Sequence, residues 1–260
     1  MKKSIVTLRK KTALSKTNSA FSLIELSIVI LIIGIVIAGI IGGNYLYKKA
    51  ALSSARSLTQ SSNLRTFREL YLWLETASDK SLNESDRQDG APITAWNNIS
   101  NNNAPVISVG SVSPTYADGG MSRIPAIRFN GNDSCYVSTD GKFMNGANVT
   151  ILIAYQPEAA NAGNLLTSGD TEFALVINQN GTAVQLNIKG ATILSGSLAG
   201  YSPNVQKFIE VVLSSSGAKM YINKTLVASS SDTTKPTNIS TLYIGRGYTG
   251  QIGELAILLK

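Results

Sequence analysis

Apolar positions follow two different patterns along the chain. Between Leu26 and Tyr47 they form 22 residues without a charge. At about 1.5 Å per residue, a helix of that length spans a hydrocarbon core of roughly 30 Å. Ile and Val dominate the run, which in water would favour a strand. Lipid reverses this preference, because a lone strand cannot satisfy its backbone there and a helix can. Beyond Lys48 and Lys49 the apolar residues thin to Ala51, Leu52, Ala55, Leu58, Leu64, Phe67, Leu70 and Leu74, at mostly three- and four-residue steps. This spacing predicts an amphipathic continuation of the helix that fades between residues 65 and 76. The segment LYLWLE at 70–75 reads equally well as the start of a strand.

After Asp79 the texture changes to short apolar runs among Asn, Ser, Gly and Thr. Nine segments read as strands: Ala126–Phe129, Cys135–Ser138, Val149–Tyr155, Phe173–Ile177, Val184–Ile188, Phe208–Leu213, Lys219–Ile222, Leu242–Ile244 and Glu254–Leu259. The dipeptides Asn130-Gly131, Asp140-Gly141 and Asn180-Gly181 mark turns between some of them. Short strands with almost no helical pattern predict an antiparallel β-sandwich. The expected class is therefore α+β, a long N-terminal transmembrane helix followed by a β-sandwich. The expected division is a leader at 1–20, a helix at 21–68 and a head at 69–260. A head of that size is large enough to bury a core between two sheets.

Charge and chemistry narrow the function. Residues 1–20 hold six of the 23 Lys and Arg and none of the 16 Asp and Glu, which leaves 17 basic and 16 acidic residues elsewhere. Six of the seven net positive charges thus belong to the N-terminal arm, and the balance does not point to nucleic acid. The single cysteine, Cys135, excludes an intrachain disulfide and reads as dispensable, so that Cys135→Ser should cost little beyond local packing. The chain has no histidine, so Cys/His zinc sites and His-based triads are excluded within one chain.

Glu25 heads the apolar run and needs an explanation. The twelve Leu, Ile and Val between Leu26 and Ile41 favour insertion by about 5 kcal/mol in total, while one acidic residue costs about 3 at the membrane centre and less near an end. The segment inserts despite the carboxylate, yet the cost remains. A secretory signal peptide would have a shorter apolar core followed by a small-residue cleavage site. Here Ala20 precedes the core. A plain signal anchor leaves Glu25 unexplained.

The order of basic arm, Ala20, Phe21-Ser22-Leu23-Ile24-Glu25-Leu26 and apolar helix resembles the type IV prepilin family, which includes the pseudopilins of type II secretion. The resemblance covers residues 1 to about 50, and Ala20 stands where the family normally has Gly. It implies a minor pilin or pseudopilin, a structural subunit built into a fibre through its N-terminal helix. It implies cleavage between Ala20 and Phe21 by a prepilin peptidase and N-methylation of the new Phe21 amine. Glu25 would then meet the amine of a neighbouring subunit staggered by about one helical turn, a pairing that selects docking register. The implied partners are the peptidase/N-methyltransferase, other pilins or pseudopilins and an inner-membrane assembly platform. The implied location is the bacterial inner membrane, single-pass, with the C-terminal head in the periplasm, in a fibre or at the cell surface. Gly39 and Gly43 add a four-residue spacing that lets helices approach closely.

The head resembles the laminin-G/concanavalin-like jelly-roll superfamily. The resemblance is carried by YLWLETASDKS with ITAWNNIS, by IPAIRFNGNDSCYV, by KFIEVVLSSSGAKMYINKTLVASS and by TLYIGRGYTGQIGELAILL. In the third segment Lys224 stands where the superfamily hairpin has Gly. That superfamily includes glucanases that cleave a sugar bond with two carboxylates, but their Glu-Xaa-Asp-Xaa-Xaa-Glu strand is absent here. Asp170 and Glu172 form the nearest pair and read as solvated residues at a strand entrance, and Glu254 reads as alone on a late strand. The chain is therefore expected not to be an enzyme. The alternative function is a membrane-anchored lectin-like adhesin or substrate-recognition module binding glycan, with Tyr116, Tyr136, Tyr201 and Tyr248 beside turns as candidate stacking residues. No cofactor is expected. Calcium is left open, with Asp118, Asp133 and Asp140 as candidate ligands.

Overall fold

The computed structural model describes residues 23–100, 107–158, 163–200 and 205–260, and within these the side chains of 140–142 are not described. The chain divides into two units, one ending at Leu46 and one running from Tyr47 to Lys260.

The first unit is helical where it is described. Helix α1 runs from Leu23 to Ser61, and Glu25 lies in its first turn. It is long and apolar enough to cross a membrane. Its large side chains from Leu23 to Leu46 are exposed, and none of the described residues buries them.

The end of α1 belongs to the second unit. The helix stops at Ser61, earlier than its apolar spacing implied. The Ser61 hydroxyl donates back to the carbonyls of Ser57 and Leu58, and the Ser62 hydroxyl accepts from the Leu64 backbone N–H. Such side-chain bonds offer the backbone an alternative to the helical ladder. One 3₁₀ turn, Asn63–Thr66, follows. The segment LYLWLE is then strand β1, Leu70–Glu75.

Fourteen further strands among the described residues form two antiparallel sheets packed as a sandwich. The first sheet contains β3 (Thr115–Met121), β4 (Ile124–Asn130), β6 (Val149–Pro157), β11 (Lys207–Ser214), β12 (Gly217–Ile222), β13 (Thr225–Ser230) and β15 (Thr249–Leu259), in the order β13-β12-β11-β6-β15-β4-β3, with β1 also paired to β15. The second contains β2 (Ile107–Val109), β5 (Cys135–Phe143), β7 (Gly163–Thr167), β8 (Phe173–Ile177), β9 (Ala183–Ile188), β10 (Ala191–Ser197) and β14 (Ile239–Ile244), in the order β10-β9-β8-β7-β14-β5-β2.

Strict alternation in the sequence builds the core. In β11, Ile209, Val211 and Leu213 point inward and pair with Ile153, Ile151 and Val149 of β6. The facing layer includes Cys135, Leu166, Leu175 and Leu186, all fully buried. All nine segments expected to be strands are strands. The Asp140-Gly141 dipeptide is not a turn: it lies within β5, where Phe143 pairs Ile239 and Ser138 pairs Thr241. The surplus residues bulge out of the ladder there and do not end the strand.

Candidate functional site

The two outer faces of the sandwich differ in chemistry, and the register shows how. Directly opposed residues in an antiparallel pair share a face. On the first sheet one outward row runs Phe208, Ala154, Glu254, Glu75, and the next runs Leu152, Ala256, Trp73. This largely apolar surface receives the last turns of α1. Ala55 is buried there, Arg56 donates to the Ala77 carbonyl at 2.8 Å and pairs with Asp79 at 2.6 Å, and Lys48 pairs with Asp118 at 3.0 Å. The guanidinium of Arg123 lies 4.0 Å from the Tyr47 ring centroid.

Between helix and sheet remains a hollow of about 410 Å³ lined by Ala51, Ala55, Leu58, Met121, Ile124, Ala154 and the carboxylates Glu75 and Glu254. Glu75 is buried and accepts from the backbone N–H groups of Ala77 (2.6 Å) and Ser78 (2.8 Å) and from the Ser81 hydroxyl. Glu254 accepts from the Trp73 indole N–H at 2.9 Å. Burial pushes its carboxyl above the usual range, the Trp73 bond opposes this, and the charge of Glu75 adds to the rise. Glu254 is thus not alone, as its isolation in the sequence implied. β1 brings Glu75 opposite it from 179 positions earlier, and only the strand register reveals the pair.

On the second sheet the row runs Thr192, Asn187, Ala174, Thr167, Tyr243, Tyr136, Ser108, one residue from each of seven strands. Tyr136 and Tyr243 are half-buried neighbours, with ring centroids 6.0 Å apart and planes tilted by 46°. The exposed Arg246 guanidinium sits 4.6 Å from the Tyr243 ring centroid. Tyr243 and Arg246 were missed in the sequence. The alternation of Leu242 and Ile244 around Tyr243 was the signal that it faces outward.

The remaining candidates disperse. Tyr116 and Tyr248 are buried, and burial raises the Tyr116 phenol to about 12, so neither offers a ring for stacking. Tyr201 lies outside the described residues. Asp170 accepts from the Ser168 hydroxyl and from the Glu172 backbone, and the Ser168 bond lowers its carboxyl below the usual range. Glu172 accepts instead from Thr237, at 3.0 Å and 3.1 Å. The two carboxylates therefore anchor separate loops. Asp118 is paired with Lys48, and Asp133 is buried against the Asn130 N–H. The Asp140 side chain lies outside the described residues. Among the described residues no group of three or more His, Cys, Asp or Glu is placed to hold a metal ion. Ala20 and Phe21 lie outside the described residues, and Glu25 sits at the helix entrance.

Residues 15–41 match the family model for the prokaryotic N-terminal methylation motif. The N-terminus is therefore of the prepilin type, a motif that implies processing by a prepilin peptidase and assembly with other pilins, and the apolar helix fits a membrane-anchored protein. No curated protein sequence matches the chain. The fold resembles domain 4 of AbnA, an extracellular arabinanase from Geobacillus stearothermophilus in complex with arabinotriose. That match has a TM-score of 0.54 and 13% identity and covers 74% of this chain and 92% of that one. The receptor binding domain of a botulinum neurotoxin mosaic of serotypes C and D matches with a TM-score of 0.52 and 11% identity over 73% of this chain and 47% of that one. Trypanosoma rangeli sialidase in complex with sialic acid matches with a TM-score of 0.50 and 13% identity over 74% of this chain. This chain spans only 31% of the sialidase. At such identities the likeness shows the fold and leaves function to the site.

Proposed function

We propose that this protein is a minor pilin or pseudopilin, inserted in the bacterial inner membrane by α1, cut between Ala20 and Phe21, and built into a fibre with its head in the periplasm or beyond. The observation that carries this reading is the methylation motif leading into a helix whose first turn holds Glu25 and whose large apolar side chains are exposed from Leu23 to Leu46. A carboxylate in hydrocarbon is poorly solvated and seeks a cation or a proton. Cleavage supplies a cation, the Phe21 amine, at nearly the same depth. A neighbour one helical turn away can place its amine against Glu25, and a desolvated pair is strong only when both partners are present.

The test is mass spectrometry of assembled native material together with Glu25→Leu. The expected mature N-terminus is a methylated Phe21. The variant should insert in the membrane as well as the wild type yet enter fibres at least about tenfold less, the cost of leaving one charge of a buried pair uncompensated. An intact Met1 in fibres, or normal assembly of the variant, would overturn the proposal.

A second reading, compatible with the first, is that the anchor displays a lectin-like head. The Tyr136–Tyr243 pair favours it, because half-exposed aromatic rings on an outer sheet face suit a stacked sugar.

A further inference from the structure

The first sheet spends its outer face on α1, so within the second unit the outer face of the second sheet is the one turned away from the helix. Its chemistry is particular. The row that crosses it carries short neutral polar side chains at Thr192, Asn187 and Ser108, two adjacent tyrosines and no acid. At the edge of the tyrosine pair stands Arg246, held 4.6 Å from the Tyr243 ring centroid. Among the described residues no carboxylate lies within 4.0 Å of its guanidinium, although Asp170 follows the Gly169 that neighbours it. The Asp170 carboxylate is engaged by Ser168 and by the Glu172 N–H.

We propose that this face binds an acidic saccharide, a glycan containing uronic or sialic acid. The sugar ring stacks on Tyr136 and Tyr243, its carboxylate meets Arg246, and its hydroxyls meet the neutral polar row. This inference rests on the lectin-like reading above. Stacking places sugar C–H groups over an aromatic ring, and half-buried tyrosines supply that surface with few rotamers to lose. Arginine is the side chain whose planar fork matches a carboxylate, and cation–π contact with Tyr243 pre-orders it. Basic and acidic residues are nearly balanced outside the N-terminal arm, so the attraction is local to Arg246 and is not a broad field that would gather any polyanion.

The experiment uses the full-length chain in detergent. A glycan array spanning galacturonate, glucuronate and sialylated oligosaccharides and their neutral counterparts comes first. The best acidic binder is then titrated beside its methyl ester, against wild type, Arg246→Gln and Tyr136→Ala. Esterification and Arg246→Gln should each weaken binding about tenfold or more, and Arg246→Gln should erase the difference between acid and ester. Tyr136→Ala should weaken acid and ester alike. An unchanged melting temperature in Arg246→Gln separates this effect from misfolding. If neutral glycans bind as well as acidic ones, or Arg246→Gln changes nothing, the acidic inference fails while the lectin-like reading stands. If no glycan on the array binds, both fail, and the fibre-subunit reading is untouched because it is measured by assembly.

Discussion

Glu254 lies directly opposite Glu75 across the β1–β15 ladder, both on the outer face beneath the end of α1. Two like charges so placed repel, and the donors are unequally shared. Glu75 has two backbone N–H groups and a hydroxyl, while Glu254 has the Trp73 indole. The Glu254 carboxyl is raised from its ordinary 4.5 chiefly by burial. Below that ordinary value the folded and unfolded chains both carry the proton, and nothing is lost. As pH rises above 4.5 the unfolded chain ionises first, and stability falls until the folded-state value is passed. Glu254→Gln removes the charge and keeps an oxygen to accept from Trp73. The variant should melt higher than wild type at pH 7, and the gain should vanish in melts near pH 4, below the ordinary carboxylate value. Equal melting temperatures at both pH values would show that Glu254 is not the strained partner.

Cys135 is fully buried in the layer formed by the second sheet, opposite Ile244 in the ladder. Burial holds its thiol high, so it behaves as a small apolar group. This placement sets the local packing cost that Cys135→Ser carries. A serine hydroxyl moved into an apolar layer without a partner costs roughly 1–3 kcal/mol. Urea unfolding of Cys135→Ser should show that loss, and Cys135→Ala should lose less because it buries no polar group. A serine variant as stable as wild type would mean that the hydroxyl finds an acceptor.

Lys224 occupies the second position of the β12–β13 turn with φ of 70°, and Asn223 precedes it with φ of 49°. Both values belong to the left-handed region required by the tight hairpin turn that matches strand twist. Asn tolerates it, and its side chain accepts from the Phe208 N–H at 2.9 Å. Lysine there costs about 1 kcal/mol that glycine does not. Lys224→Gly should therefore stabilise the head by up to about 1 kcal/mol, part of it offset by the freer unfolded chain. Denaturant midpoints measure this directly, and a loss of stability would show that the lysine stem makes packing worth more than the strain.

The legibility of this chain follows from which interactions are local. Alternation is local, so strands with clean in-and-out patterns such as β8, β9 and β11 could be read directly. Strands β3 (TYADGGM), β10 (ATILSGS) and β13 (TLVASS) could not, because glycine and serine blur the pattern at positions near sheet edges. The turn between β3 and β4 is built from Ser122 and Arg123 at positive φ, with no Gly or Asn to announce it. The site was harder still. Tyr136 was legible as an aromatic beside a turn, but Tyr116 and Tyr248 looked the same and are buried. Pairing Tyr136 with Tyr243, or Glu75 with Glu254, depends on long-range register, which no local pattern encodes. The membrane motif is the opposite case, since basic arm, acid and apolar run are adjacent in sequence.

Gly34, Gly39, Gly42 and Gly43 all lie within α1, where each weakens the helix by roughly 1 kcal/mol relative to Ala. Among the described residues nothing requires them, because a Cβ at any of the four would meet no atom within 4 Å. Close approach of a second helix fits the four-residue spacing of Gly39 and Gly43. Gly39→Ala with Gly43→Ala should raise the helicity of the detergent-solubilised chain while reducing its incorporation into fibres. Circular dichroism and fibre yield measure the two effects separately. Helicity and assembly rising together would show that the glycines serve flexibility and not helix approach, and would move the contact to another face of α1.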